Sequence, residues 1–170
     1  MGVRLARAAV LAAALGLAPF AARAADSTTA ISTTAIKTVS AAGARQTIEA
    51  AKQAADKLRA PCAIAVVDAS GILVLFEKMD GVRAGSPDLA IGKARTAALL
   101  QRPSQEVEDN IDNGRVAFTT AGLLSLRGGV PLVADGEVVG AVGVASLSKD
   151  NDVLIAKAAA QGFAEGLAKH

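Results

Sequence analysis

Residues 128–152 restrict the fold of this chain more than any other stretch. Asp135-Gly136 separates two β-prone apolar runs, a strong hairpin signal, because glycine enters positive φ freely and aspartate tolerates it. The second arm, Glu137 to Ser146, is almost wholly apolar and predicts an inner strand covered on both faces. Gly140 and Gly143 interrupt it, as glycines do where another backbone or a ligand comes close. Ser146, Ser148 and Asp150 then offer caps for a helix running to about Leu167. The capped end presents backbone N–H groups suited to an anion.

The first 24 residues read as a secretory signal peptide. Arg4 and Arg7 precede the apolar run Ala8 to Ala18, and Ala22-Arg23-Ala24 supplies a small-x-small cleavage pattern. The run is too short to span a membrane, and the expected destination is a bacterial periplasm. Cleavage before Ala25 leaves 146 residues, enough for one domain with a real core. It also removes three arginines, so 18 basic against 16 acidic residues becomes 15 against 16. That balance gives no electrostatic case for nucleic acid. The mature chain has no Trp or Tyr and only Phe76, Phe118 and Phe163, so base-stacking platforms are not expected. Cys62 is the sole cysteine, which excludes an internal disulfide and favours burial as a small hydrophobe.

Residues 25–39 form a Ser/Thr-rich leader that repeats Thr-Thr-Ala-Ile, with a short strand possible near Lys37 to Val39. The domain proper is placed at 40–170. Ser40 caps a helix with Ile48, Ala51, Ala55 and Leu58 on one face, which Pro61 ends. Ala63 to Asp68 and Ile72 to Met79, joined by Ala69-Ser70-Gly71, predict a second hairpin with Ile72 to Phe76 as an inner strand. Ser86-Pro87-Asp88 opens a helix to about Gln101, with Pro103 as its stop. Ser104 caps a shorter helix ending at Asn113-Gly114, and Val116 to Leu124 reads as a final short helical segment. Two hairpins separated by helices argue for an α+β layer sandwich around an antiparallel sheet.

The usual catalytic signatures are missing. His170 is the only histidine and the last residue, so no base is at hand for a serine or cysteine nucleophile. Asp150-Asn151-Asp152 lacks the third ligand, turn glycine and distal glutamate of a calcium loop and reads better as helix capping. Two features remain. Lys93, Arg95 and Thr96 sit on a helix otherwise built of small residues, and residues two apart do not share a helical face. At most one of Lys93 and Arg95 can therefore lie along the core side while the other reaches water. A solvated face explains them, and so does a carboxylate site formed with Arg83 or Arg127, for which an arginine fork is suited. The glycines at 128–129 and 140–143 fit tight packing, a subunit contact or a ligand equally well.

Val66-Val67-Asp68-Ala69-Ser70-Gly71, Met79-Asp80-Gly81, Lys93-Ala94-Arg95-Thr96-Ala97, Gly128-Gly129-Val130-Pro131, Asp135-Gly136-Glu137-Val138-Val139-Gly140 and Gly143-Val144 together resemble the signatures of the GlcG/HbpS family of haem-binding proteins. Asp152 matches the acidic residue that opens the family's last helix. The resemblance runs from about Ser40 to Gly166. It implies a profilin-like α-β-α sandwich with a five-stranded antiparallel sheet, the strand near Lys37 being the fifth, assembled into homo-oligomers. It also implies haem or corrinoid binding, related domains being fused to cobalamin adenosyltransferases. Two departures stand out. Gly143-Val144-Ala145-Ser146 replaces the family's Gly-Val-Ser-Gly, and the mature body lacks histidine and tyrosine for haem iron, leaving Met79 and His170 as conventional ligands.

Three readings follow. The first is an exported, oligomeric binding protein for haem or a related tetrapyrrole. Arg83, Lys93, Arg95 and Arg127 are its anion contacts, with Thr96 beside them, and Gly128, Gly129 and Gly143 permit close approach. The second is a cofactor-free enzyme or carrier for a small carboxylate, with Asp68 or Asp152 handling a proton. The third is a structural oligomerisation module. The sequence leaves ligand identity, subunit number and enzymatic turnover open.

Overall fold

The computed structural model describes residues 34–169; the stretch expected to be a signal peptide, most of the expected leader and His170 lie outside them. The chain forms α1 (Ala41–Leu58), β1 (Ala63–Asp68), β2 (Leu73–Lys78), α2 (Ser86–Leu100), α3 (Gln105–Asp112), β3 (Gly129–Ala134), β4 (Glu137–Ala145) and α4 (Lys149–Leu167). The four strands make one antiparallel sheet in the order β2-β1-β4-β3. This is the α+β architecture expected from the two hairpins.

The sequence signals for element ends mostly act as expected. The Ser40 hydroxyl accepts the Gly43 N–H at 3.1 Å, and α1 closes with Arg59 in the left-handed region at φ 49°. Ser148 caps α4 by accepting the Asn151 N–H. Asp135-Gly136 makes the β3–β4 turn, with φ of 51° and 78°. Residues with positive φ are costly unless glycine or a short polar residue supplies them, so this dipeptide holds the register.

The two faces of the sheet are packed differently. On one face Ile64, Val66, Val142 and Val144 meet Ile48, Ala51 and Ala55 of α1 and Ile155, Ala156, Ala159 and Phe163 of α4. On the other, Ala63, Ala65, Val67, Ala141 and Ala145 meet Ala90, Ala94, Ala97 and Ala98 of α2. The second layer is nearly all alanine, so α2 lies close on the strands. Gly129 and Gly143 make the approach possible. A Cβ on Gly143 would overlap the Ala90 carbonyl and crowd the Ala94 N–H, and one on Gly129 would overlap the Lys93 carbonyl.

Three expectations need correction. The sheet has four strands, not five: Val39 N–H donates to the Val139 carbonyl at 2.7 Å, but no ladder follows. β4 is already paired on both sides along most of its length, and Val139 is left unpaired by both neighbours, since the β3–β4 register skips it and the β1–β4 register ends at Gly140. Second, β2 is an edge strand rather than an inner one. Its sequence looks like an inner strand because both faces are partly covered, Val74 and Leu75 by the larger core and Phe76 by the alanine layer. Third, Val116 to Leu124 is not a continuous helix; a 3₁₀ turn covers Val116–Thr120 and irregular chain follows. The Thr119 and Thr120 hydroxyls donate to carbonyls three residues back, and Gly122 turns the chain at φ 68°.

Candidate functional site

The helix that carries Lys93 and Arg95 separates them: Lys93 is buried at 3% exposure, while Arg95 faces water. The Lys93 ammonium donates to the Val144 carbonyl at 2.9 Å and to Asp152 Oδ2 at 2.7 Å. Asp152 stands in the first turn of α4, and its Oδ1 accepts the Ser146 N–H at 2.6 Å. The pair is therefore clamped to the end of β4 from both sides. Gly128, at φ 112°, lies over it; a Cβ there would fall 2.8 Å from Asp152 Cβ and 3.2 Å from Lys93 Nζ. Its carbonyl accepts the Val144 N–H at 2.9 Å.

This pair forms part of a cleft of about 180 Å³ lined by Arg83, Leu89, Lys93, Glu108, Leu126, Arg127, Ser146, Leu147, Lys149 and Asp152. The lining holds four cations and two carboxylates, so its balance is positive. Leu147 is 78% exposed and Leu126 39% exposed, which places two bare leucines among those charges.

One wall, residues 124–129, is irregular chain held by side chains from α2 and α3. The Thr96 hydroxyl donates to the Leu124 carbonyl at 3.0 Å, and Gly92 leaves room for the Leu124 side chain. The Ser104 hydroxyl donates to the Leu126 carbonyl at 2.7 Å and accepts the Gly129 N–H at 2.9 Å. Arg127 donates to Glu108 through its Nε and backbone N–H, and to Asp109 Oδ1 at 3.1 Å. The hydrogen bond to Glu108, with the attraction of both carboxylates, raises the Arg127 pKa above its ordinary value.

The fold thus gathers Arg83, Lys93 and Arg127 at one cleft, with Gly128 at its back. Arg95 is not among its lining, and Thr96, Gly129 and Gly143 serve the packing of α2 and the loop. Met79 is also elsewhere: its thioether lies 3.9 Å from the Cys62 thiol, packed against the larger core. Cys62 itself is fully buried, and burial, aided by the charge of Asp152, pushes its thiol up to about 12. The Asp68 carboxylate is occupied by the Ser70 and Ile72 N–H groups at the β1–β2 turn. Among the described residues no three His, Cys, Asp or Glu side chains converge as a metal site.

Sequence reasoning missed Ser104, Glu108, Leu147 and Lys149 as parts of this site. Ser104 carried only a cap signal, and its hydroxyl caps nothing in α3. Leu147 offered a faint clue as an apolar residue between two serines at a helix start. A larger groove of about 400 Å³ between α1, α4 and the β3–β4 end is lined by Val39, Val139, Phe163 and Leu167. Its one lysine, Lys37, is paired with Asp135 and Glu137, whereas the smaller cleft brings four cations together.

A family model described as haem degrading protein HbpS-like matches residues 39–161. Protein GlcG of Escherichia coli is 45% identical over 98 residues, which cover 57% of this chain and 73% of that protein. The crystal structure of a double mutant of HbpS from Streptomyces reticuli is 31% identical, with a TM-score of 0.70 over 86% of this chain and 97% of that one. The crystal structure of a PduOC–haem complex is 26% identical, with a TM-score of 0.67 over 74% of this chain and 94% of that one.

Proposed function

The chain belongs to the HbpS-like family of haem-degrading proteins, and from that premise we propose that it binds haem or a related tetrapyrrole at the Arg83–Lys149 cleft. The reading extends to an exported, periplasmic protein that works as a homo-oligomer and whose sandwich is profilin-like. The observation that carries it is the pairing of bare Leu126 and Leu147 with Arg83, Arg127 and Lys149 at one mouth. A tetrapyrrole with carboxylate side chains has the same combination of an apolar flank and an anionic edge. The leucines would cover the flank, and the cations would hold the carboxylates.

The lining fits that edge better than it fits the iron. None of the residues lining the cleft is His, Cys, Met or Tyr, the usual haem ligands, and Met79 is packed against the core. When bound, the tetrapyrrole would bring its metal and light-absorbing ring; the residues of this chain bind and orient it by its substituents. The cleft of about 180 Å³ is below the ~300–1,000 Å³ typical of sites that enclose a drug-sized ligand. A second copy of the chain would supply the missing cover, which is why the oligomer belongs to the proposal.

Titration of residues 25–170 with hemin tests it. A saturable Soret shift is expected, weakened about tenfold or more by Arg83→Glu with Lys149→Glu and separately by Leu147→Asp. No shift, or a shift indifferent to these changes, counts against the site. The small volume favours a second reading, a carrier or enzyme for a small carboxylate. There a screen of small acids should raise the melting temperature of the protein while hemin does not.

A further inference from the structure

We propose that Glu108 acts as a built-in stand-in for the guest's carboxylate, so that a ligand enters the cleft by displacing it from Arg127 and Lys149. This rests on the tetrapyrrole reading and adds to it a residue that sets affinity for carboxylate guests. The Glu108 side chain is only 14% exposed. Its Oε2 takes both the Arg127 Nε–H and the Arg127 backbone N–H, the latter at 3.0 Å, and its Oε1 lies 3.9 Å from Lys149 Nζ. Two N–H groups of one arginine and a nearby ammonium make a complete carboxylate receptor, and a residue of the same chain fills it.

The other cations leave no simpler route. Lys93 is satisfied by Asp152 and Val144. Arg83 is exposed and makes no ion pair among the described residues. A guest with a single carboxylate can therefore take Arg83 without disturbing the cleft, and gains little there, because exposed ion pairs are weak. A guest with two carboxylates takes Arg83 with one and replaces Glu108 with the other. Glu108 lies on the short helix α3, and its side chain can turn out to water while Asp109 retains its contact with Arg127. Glu108 therefore lowers the affinity of a guest whose carboxylate must displace it from Arg127 and Lys149, and leaves a guest held at Arg83 alone unaffected.

The test compares wild-type protein and Glu108→Gln, both as residues 25–170, by Soret titration with hemin and with hemin dimethyl ester. The glutamine keeps the shape and removes the competing charge. The variant should bind hemin about tenfold tighter, with no gain for the ester, whose side chains carry no charge. A gain in affinity is not what damage to the fold produces. Wild type binding hemin as tightly as the variant, or more tightly, overturns the stand-in while leaving the site intact. Hemin failing to bind either protein overturns the site and the stand-in together. Should the variant not fold, the Arg127 Nε–H resonance of the wild type decides. It should move on saturation with diamagnetic protoporphyrin IX, and a resonance that stays in place overturns the proposal.

Discussion

The Lys93 ammonium lies 2.7 Å from the Asp152 carboxylate, with only 4% and 5% of their side-chain surfaces exposed. One residue comes from the helix covering the alanine face of the sheet, the other from the first turn of the helix covering the opposite face. The pair therefore ties both layers to the end of β4, where Val144 and Ser146 supply the remaining hydrogen bonds. Removing two charges from water is costly, and mutual attraction with further hydrogen bonds offsets that cost only while both partners are present.

Lys93→Met should consequently lower stability by about 3–5 kcal/mol, because it leaves a buried carboxylate without its cation. Lys93→Met combined with Asp152→Leu should recover most of that loss. Urea unfolding of the three proteins measures both effects. A single-variant cost under about 1 kcal/mol would mean that water reaches the pair and that the clamp is not structural.

The alanine layer makes a sharper demand. Gly143→Ala puts a methyl where the Ala90 carbonyl and the Ala94 N–H already stand, so α2 must move off the sheet. The expected loss is about 3 kcal/mol or more, at the upper end for overpacking, since backbone cannot turn aside as a side chain can. Gly85→Ala is the control: no atom lies within 4 Å of the new Cβ and φ is −82°. That change should stay within about 0.5 kcal/mol of the parent. Equal melting temperatures for the two variants would contradict the packing described.

How much of this was legible in the sequence depends on the range of the signal. Asp135-Gly136 and the Ser40 and Ser148 caps act within a few residues, and local chemistry is enough to read them. β2 misled because an apolar run reports coverage of faces, and an edge strand covered on both sides has the composition of an inner one. The fifth strand failed for a topological reason, since a free edge on β4 cannot be seen before the sheet order is known.

The site was half legible. Helical geometry allowed at most one of Lys93 and Arg95 to face inward, and the partner of the one that does is 59 residues away, with no local pattern to join them. Arg83 and Arg127 were found by residue type alone. Glu108, Lys149 and Ser104 were not, because what distinguishes them is where α3 meets the loop before β3, and loops carry no periodicity. The glycines were open between packing and ligand access. Contacts resolve Gly129 and Gly143 toward packing and leave Gly128 beside the cleft.

Cys62 provides a test that needs no ligand. Full burial should keep it from reacting with an aromatic disulfide reagent at pH 8 until the protein unfolds. Its thiol is raised from 9.0 to about 12 in the folded state, so the unfolded chain loses the proton first. Stability from this group is thus complete below about pH 9 and is lost as pH rises toward about 12. Cys62→Ala should flatten that alkaline decline relative to the parent in chemical denaturation at stepped pH. Parallel declines, or labelling of the native thiol, would show the residue to be accessible.

Ser104 should separate stability from binding. Its hydroxyl serves two backbone groups at once, donating to Leu126 and accepting from Gly129, and Gly129, the first residue of β3, is buried against α2. Ser104→Ala leaves a buried N–H without that partner, a loss of about 1–3 kcal/mol. The ring of backbone contacts is not wholly broken, because the Ser104 N–H still donates to the Gly129 carbonyl at 3.0 Å. The wall that carries Leu126 and Arg127 should then loosen while the sheet stays intact. Hydrogen exchange should quicken at Leu126 to Gly129 and remain slow in β1 and β4. Hemin affinity should fall even at temperatures where the variant is fully folded, since the ligand must then order the wall it binds. Uniformly faster exchange across the sheet would make Ser104 a general stabiliser, and unchanged affinity with a loosened wall would place the guest away from Leu126.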